Sequence, residues 1–406
     1  MQGERDPRRS PAFESLTVVD LSEHIAGPFC TKLLAAQGAQ VIKVERPGLG
    51  DASRRAGPFP EDVPHPEKGG AYLYLNMGKK GITLDVEAPV GRTLLRRLID
   101  TADVLVESFA PGTMERLELG YDALKQSNLR LVMASVTSFG QTGPYKDYKA
   151  TEIVLHALSG EMYMAGMPGR PPLLKGGLLA QYHGGLHAYI AIMAALHARE
   201  ALGSGQHIDL SLVEGWASVH GAFLKSYTYR KQVPGRQGER DNFPTGLRRC
   251  RDGWVWVSGR GGRREWWPRF AEMLGPQLLP DGRFHTVEAR ARHKAELESI
   301  FNAWLKDRTG EEVMAEAQSR GLSAAYVHDG EALLASPQMK ARAYYQEVEH
   351  PVAGAYPFPS RPFRMEGSPW RNDRAPLLGE HNEEVYCGLL GLTGQELAAQ
   401  QQHGVV

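Results

Sequence analysis

The residues best suited to chemistry are cations and carboxylates at the ends of strand-like runs. Arg46 follows QVIKVE, and Lys79 and Lys80 precede GITL. Arg116 follows the loop after DVLVE, and Lys149 follows the Gln141 loop. Separate loops that each offer a cation suit an extended polyanion held by charge-assisted contacts. Glu45 closes the second strand-like run as Asp20 closes the first. That pattern suits a nicotinamide dinucleotide only if a G-x-G-x-x-G turn lets backbone N–H groups reach the pyrophosphate. The loop reads Ala26-Gly27-Pro28 instead, and Pro28 removes a donor, so no nicotinamide is expected. His183 and His187 share a helix face, but no Glu completes an H-E-x-x-H zinc pattern. They read as a packed or cleft-lining pair, and no metal is expected. A G-x-S-x-G nucleophile elbow is missing from the sequence, which leaves a serine hydrolase of that type unsupported. Gly259-Arg260-Gly261-Gly262 reads as a turn and helix entry.

The elements that must position these residues alternate along the first part of the chain. LTVVDL (16–21), QVIKVE (40–45), Gly81–Leu84, DVLVE (103–107) and LRLVMAS (129–135) read as strands, with helical spacing over Pro28–Gln37 and Pro89–Thr101. Such alternation predicts an α/β fold, a large domain built on a mostly parallel, Rossmann-like sheet. Ligands in such sheets sit outside the carboxyl ends of the strands. Those ends carry the small, polar loops Ser22–Gly27, Arg46–Asp51, Ser108–Gly112 and Thr137–Gly143, expected to converge on one cleft. Gly184–Arg199 reads as one long apolar helix, followed by a strand over Gln206–Leu212. Residues 1–12 read as a disordered arm, 13–217 as the first part of the large domain and 218–245 as a linker. Residues 246–345 read as a smaller α+β domain, with the strand WVWVS (254–258) and helices near 264–275, 286–306 and 309–320. Residues 346–406 read as a proline-rich tail that ends in a helix near 380–389. Arg236, Arg240, Arg248, Arg249 and Arg251 crowd the start of the small domain. They suit either a dicarboxylate or the solvent.

Composition narrows the class. The chain has 406 residues, enough for two or three domains with a large core. Lys and Arg number 47, as do Asp and Glu, so the basic excess of a dedicated nucleic-acid binder is lacking. Cys30, Cys250 and Cys387 are too few and too scattered for a disulfide framework or a Cys-x-x-Cys metal site, which points to the reducing cytoplasm. The start, MQGERDPRRSP, has no apolar h-region, and no run is long and apolar enough to predict a membrane span.

Beyond these patterns, the chain resembles the class III CoA-transferase family from about Leu16 to the C-terminus. The resemblance is carried by VVDLSEHIAGPFCTKLLAAQGAQVIKVERPGLGD, LNMGKKGITLD, ADVLVESFAPGTMERLELGY, SFGQTGPY, GSGQHIDLSLVEG and RAPLLGEHNEEV. It implies that two chains interlock like links of a dimer, each with a large domain made of N- and C-terminal segments. It also implies coenzyme A, or an acyl-CoA, as bound substrate. Arg46 then matches the arginine near the adenine, and Leu84 and Asp85 lie in the segment along the nucleotide. Ser108, Phe109 and Ala110 match a loop usually reading Asn-Phe-x, with the Asn lost. Arg116 and Lys149 match cations directed at phosphate groups. Ile25 and Ala26 match the loop beside the thioester, where formyl-CoA transferase carries a glutamine; its loss argues against oxalate as acceptor.

The family's chemistry is covalent. A carboxylate attacks the acyl-CoA carbonyl to give a mixed anhydride, and the released thiolate then attacks the enzyme's carbonyl to give an enzyme–CoA thioester. The aspartate that does this matches Gln181 here. An amide is neutral and a poor nucleophile, so the anhydride step is expected to fail at Gln181. The racemase branch needs an acid–base pair, and its positions are Thr151 and Gln181, so transfer is favoured over racemisation. Glu152 is the nearest other carboxylate; it suits a cleft-lining role or a substitute nucleophile. Some family members, such as succinyl-CoA:benzylsuccinate CoA-transferase, pair two related subunits with the aspartate in one. The leading expectation is the acid-lacking subunit of such a heteromer, moving CoA between carboxylic acids with an Asp-containing sister. A self-sufficient transferase using Glu152, and a CoA-binding scaffold without catalysis, stand as alternatives.

Overall fold

The computed structural model describes residues 10–236, 243–258 and 266–406, which form two compact units. The larger draws on the chain up to Ala165, on Pro172–Pro234 and on Ala343–Val406; the smaller draws on Gly166–Pro171 and Gly235–Arg342. Most of the arm expected at 1–12 lies outside the described residues. Its end does not: Pro11 O accepts from Glu14 N, and Pro11 occupies the space a side chain on Gly38 would need.

The larger unit carries an antiparallel hairpin, Tyr345–His350 with Gly354–Pro359, and a six-stranded sheet built from short runs, most of them buried on both faces. The strands of that sheet are β1 (Thr17–Asp20), β2 (Gln40–Glu45), β3 (Lys80–Thr83), β4 (Val104–Glu107), β5 (Val132–Thr137) and β6 (His207–Ser211). All pair in parallel, in the order β3-β2-β1-β4-β5-β6. The order reverses between β1 and β4, the place where a crevice opens in such a sheet. Helices that bear on the site are α1 (Ala26–Ala36), α2 (Pro89–Asp100), α3 (Glu152–Leu158), α4 (Glu161–Met164), α5 (Leu179–Leu202), α6 (Leu212–Ala217) and α7 (Gly221–Arg230).

Alternate strand residues serve opposite faces. Val18, Val41, Val104 and Val132 join Leu34 of α1 and Ala188, Ile192 and Ala195 of α5 in one core. Gly185 permits the α1–α5 contact, because a Cβ there would lie 2.4 Å from Ala26 O. α5 runs from Leu179 to Leu202, beyond the expected 184–199 at both ends. Val19, Ile42, Leu105 and Met133 join Leu94, Leu95 and Leu98 of α2 in a second core, completed by Val385, Tyr386, Leu390, Leu397 and Val405 from the tail. Tyr386 Oη donates to Thr83 O at 2.7 Å, and Asp85 N donates to Val405 O at 2.7 Å. Besides the expected tail helix (Glu384–Leu389) there is a further one at Gly394–Gln402, started by a Thr393/Glu396 capping box.

In the smaller unit, β7 (Gly246–Arg249), β8 (Trp254–Ser258) and β9 (Ser323–Tyr326) pair antiparallel and pack on helices through Trp267, Phe270, Phe301, Leu305 and Val313. The helix expected over 286–306 breaks at His293, which has φ −104° and ψ 25°. The linker expected over 218–245 instead carries α7, part of the larger unit. Gly259–Gly262 lies outside the described residues. So does Arg240; the other crowded arginines turn to groups of their own unit. Arg236 Nη2 donates to Arg170 O at 3.0 Å, Arg248 faces Glu298, Arg249 lies over the Trp254 ring, and Arg251 Nη1 donates to Asp307 O at 3.2 Å. None of the described helices is long and apolar enough to cross a membrane.

Candidate functional site

A cavity of about 730 Å³ opens beyond the carboxyl ends of β1, β4 and β5, where the strand order reverses. Three of the four expected loops converge there: residues 23–27, 108–111 and 137–138 line it, together with 146–152, Leu178, Gln181 and Leu212. The Arg46–Asp51 loop does not, because its own ion pairs bind it to β2. Asp51 pairs with Lys43 at 2.8 Å, and its N–H donates to Glu45 Oε2 at 2.8 Å. α1 enters the cavity without a side-chain cap, so its first N–H groups are open toward a partial negative charge. His24, in the loop before it, holds φ at +67°, an uncommon conformation for a non-glycine residue.

Beneath this floor lies a buried charge network. Asp20 accepts from Lys79 at 2.9 Å and from Thr31 at 2.6 Å. Burial opposes its ionisation, but Lys43 and Lys79 hold the carboxyl far below the usual range. Burial carries Lys79 down to about 8 in spite of Asp20. Both Glu45 oxygens are engaged: Oε1 by Arg54 Nη2 at 2.8 Å and the Tyr72 hydroxyl at 3.0 Å, Oε2 by Arg54 Nε at 2.7 Å. Two cations expected at the cleft are therefore structural. Lys79 is buried against Asp20, and Lys80 pairs with Glu384 at 2.6 Å.

The structure brings eight of the twelve sequence-derived site residues to the cavity wall: Ile25, Ala26, Ser108, Phe109, Ala110, Lys149, Glu152 and Gln181. Ser108 Oγ accepts from Glu23 N at 2.9 Å, joining two of the loops. Phe109 N donates to Glu107 Oε2 at 2.7 Å. Burial pushes Glu107 up to about 7, although hydrogen bonds from Ser135 and Phe109 pull the other way. The remaining four lie elsewhere. Leu84 is in the core, and Asp85 Oδ1 accepts from Glu87 N at 3.0 Å. Arg116 is exposed and grips Glu87 through both Nη atoms, at 2.9 and 2.8 Å. Arg46 is exposed, and its charge reaches the same Glu87.

Gln181 is the third residue of α5 and half-buried. Glu152, at the start of α3, caps the same helix from outside: its Oε1 accepts from Ala180 N at 2.7 Å and meets His156 Nε2 at 2.9 Å. Its Oε2 is buried without a hydrogen-bond partner among the described residues. An acceptor oxygen and an amide thus stand near each other on one wall, with helix N–H groups of α1 across the loops. This wall can hold a polar group and stabilise developing negative charge. The sequence reading missed Thr137, whose Oγ1 is buried, unpartnered and on the wall, and His156. The four-residue spacing from Glu152 to His156 was the available signal for the latter. His183 and His187 pack edge to face, ring centres 4.4 Å apart, and neither is on the cavity wall. No group of three or more metal-ligating side chains occurs among the described residues.

Comparison with known proteins gives this wall its context. The succinyl-CoA–D-citramalate CoA-transferase of Chloroflexus aurantiacus is 33% identical over the whole of both chains. Subunit BbsE of the succinyl-CoA:(R)-benzylsuccinate CoA-transferase of Thauera aromatica is 31% identical over 93% of this chain and 94% of that one. The crystal structure of a CAIB/BAIF family protein from Brucella suis superposes with a TM-score of 0.83, at 30% identity, covering 94% of this chain and all of the other. The profile of CoA-transferase family III matches residues 13–382, and the chain belongs to that family.

Proposed function

We propose that this chain binds CoA or an acyl-CoA in the cavity at the β1–β4 crevice and is the non-nucleophilic subunit of a heteromeric CoA-transferase. A related subunit would supply the attacking aspartate, and the pair would move CoA between carboxylic acids, succinyl-CoA being one donor class. The observation that carries the reading is Gln181. It is an amide on the cavity wall, and the family resemblance matches it to the attacking aspartate. The neighbouring carboxylate, Glu152, has one oxygen already committed to Ala180 N and His156. BbsE, itself a subunit by name, supports a divided enzyme. Exposed apolar side chains on α5 and α7, among them Leu186, Ile190, Leu224 and Tyr227, offer a surface that a second chain would cover, as the interlocked arrangement requires.

A second reading keeps the nucleophile in this chain, at Glu152. Glu152 lines the cavity and its buried Oε2 has no hydrogen-bond partner among the described residues, which favours this reading, as does the single-name relative from Chloroflexus aurantiacus. One experiment separates the two. The purified chain is incubated with succinyl-CoA and a panel of carboxylic acids, alone and after Gln181→Asp, with hydroxylamine trapping and peptide mass mapping. The subunit reading expects no transfer and no adduct from the parent. From the variant it expects transfer, with an adduct on the introduced carboxylate. Transfer by the parent with a labelled Glu152 would replace it by the second reading.

A further inference from the structure

The buried chain behind Glu152 extends beyond the cavity wall. His156 is fully buried; its Nε2 meets Glu152 Oε1 and its Nδ1 meets Glu161 Oε2, each at 2.9 Å. Lys175 Nζ closes the chain on Glu161 Oε1 at 2.7 Å. From α6 the Trp216 ring packs on the imidazole at 5.0 Å, and His183 and His220 lie against the same indole at 5.4 and 5.6 Å. Burial holds His183 and His220 below the ordinary imidazole range, so near neutral pH they bring no charge against His156.

The proton count is informative. A neutral imidazole has one N–H and one lone pair, so it satisfies one carboxylate and repels the other. Two carboxylate oxygens at hydrogen-bond distance require a second proton, on the ring or on a carboxyl group. Glu161 does not hold it: burial would raise that carboxyl, but Lys175 and His156 keep it below its usual range. The second proton belongs to Glu152 and His156 as a coupled unit.

We propose that His156 is a positioning residue of the cavity: sharing this proton with Glu152, it fixes the carboxyl group under Ala180 N–H and presents Oε2 to the bound thioester. The inference rests on the cavity being the CoA site. Its consequence is a need for an N–H at the Nε2 position of residue 156: with it Glu152 stays in place, and without it the carboxylate turns away and the ligand is gripped less well.

The test is calorimetric titration of acetyl-CoA into the full chain at about pH 7. The parent is compared with His156→Leu and His156→Gln, each first shown to melt with one sharp transition. His156→Leu should bind roughly tenfold or more weakly. His156→Gln, which supplies a side-chain N–H, should recover most of that loss. A His156→Leu affinity equal to the parent's, or a His156→Gln affinity no better than that of His156→Leu, overturns the proposal. A parent that binds no acetyl-CoA removes the functional reading itself, and this inference with it.

Discussion

Replacing Glu107 by Gln removes a charge that the fold holds at some expense. The side chain ends β4, is 2% exposed, and accepts from Phe109 N at 2.7 Å. Burial carries its carboxyl from an ordinary 4.5 to about 7. Each pH unit corresponds to 1.36 kcal/mol, so the difference of about 2.5 units amounts to ~3 kcal/mol of lost stability once the group ionises in the folded state. The sign follows from proton binding. The folded form binds the proton more tightly, so there is no penalty below about pH 4.5. Stability then falls as pH rises through 7, and the full penalty is present above that. Gln accepts the same N–H and never ionises. The variant should match the parent within ~0.5 kcal/mol at pH 4.5 and exceed it by ~3 kcal/mol at pH 8. Hydrogen exchange of the β4 and β5 amides reads the larger unit separately from the smaller. A variant that tracks the parent at both pH values, or is less stable at pH 8, would refute the reasoning.

Other perturbations test the framework around the cavity. Lys79→Met leaves Asp20 buried without its ion-pair partner and should cost ~3–5 kcal/mol, with Asp20→Asn added to it restoring part of the loss; guanidinium unfolding reads both. Gly185→Ala drives a methyl into Ala26 O and should cost ~1–3 kcal/mol while displacing the 23–27 loop, seen as a lower melting temperature and weaker acetyl-CoA binding. Arg116→Ala should leave the melting temperature unchanged, because its pair with Glu87 is exposed and screened, and should leave acetyl-CoA binding unchanged, because Arg116 is off the cavity wall.

Most strands of the six-stranded sheet were legible because they are compact apolar runs, and such a run dictates burial on both faces; the hairpin Tyr345–His350 with Gly354–Pro359 was hidden in the proline-rich tail. The loops at 23–27, 108–111 and 137–138 followed from strand order, so the cavity wall was largely readable from local sequence. Lys79 was not. A lysine beside a strand looks the same whether it faces a ligand or an aspartate, and only the approach of β1 decides. Gly184 and Gly185 read as a helix start, since their purpose is tertiary: close approach of Gly184 to Leu212 and of Gly185 to α1. The Gly394–Gln402 helix was announced by its T-x-x-E capping box but has a weak apolar stripe. His156 was missed for a related reason, since its spacing from Glu152 is only half the signal. Its meaning depends on two carboxylates, one a helical turn before it and one on α4, facing the ring from opposite sides.

The docking of the tail on β3 has a consequence for biosynthesis. One side of the parallel sheet waits for Val385, Tyr386 and Val405, synthesised long after β6 has emerged. At a translation rate of about 5–20 residues per second, that apolar side is only partly covered, with α2 in place and the tail missing, for roughly 10–39 seconds on every ribosome. Newly made chains are therefore natural clients for chaperones. Polysomes carrying this message should show the nascent sheet more open to proteases than the same sheet in the released protein.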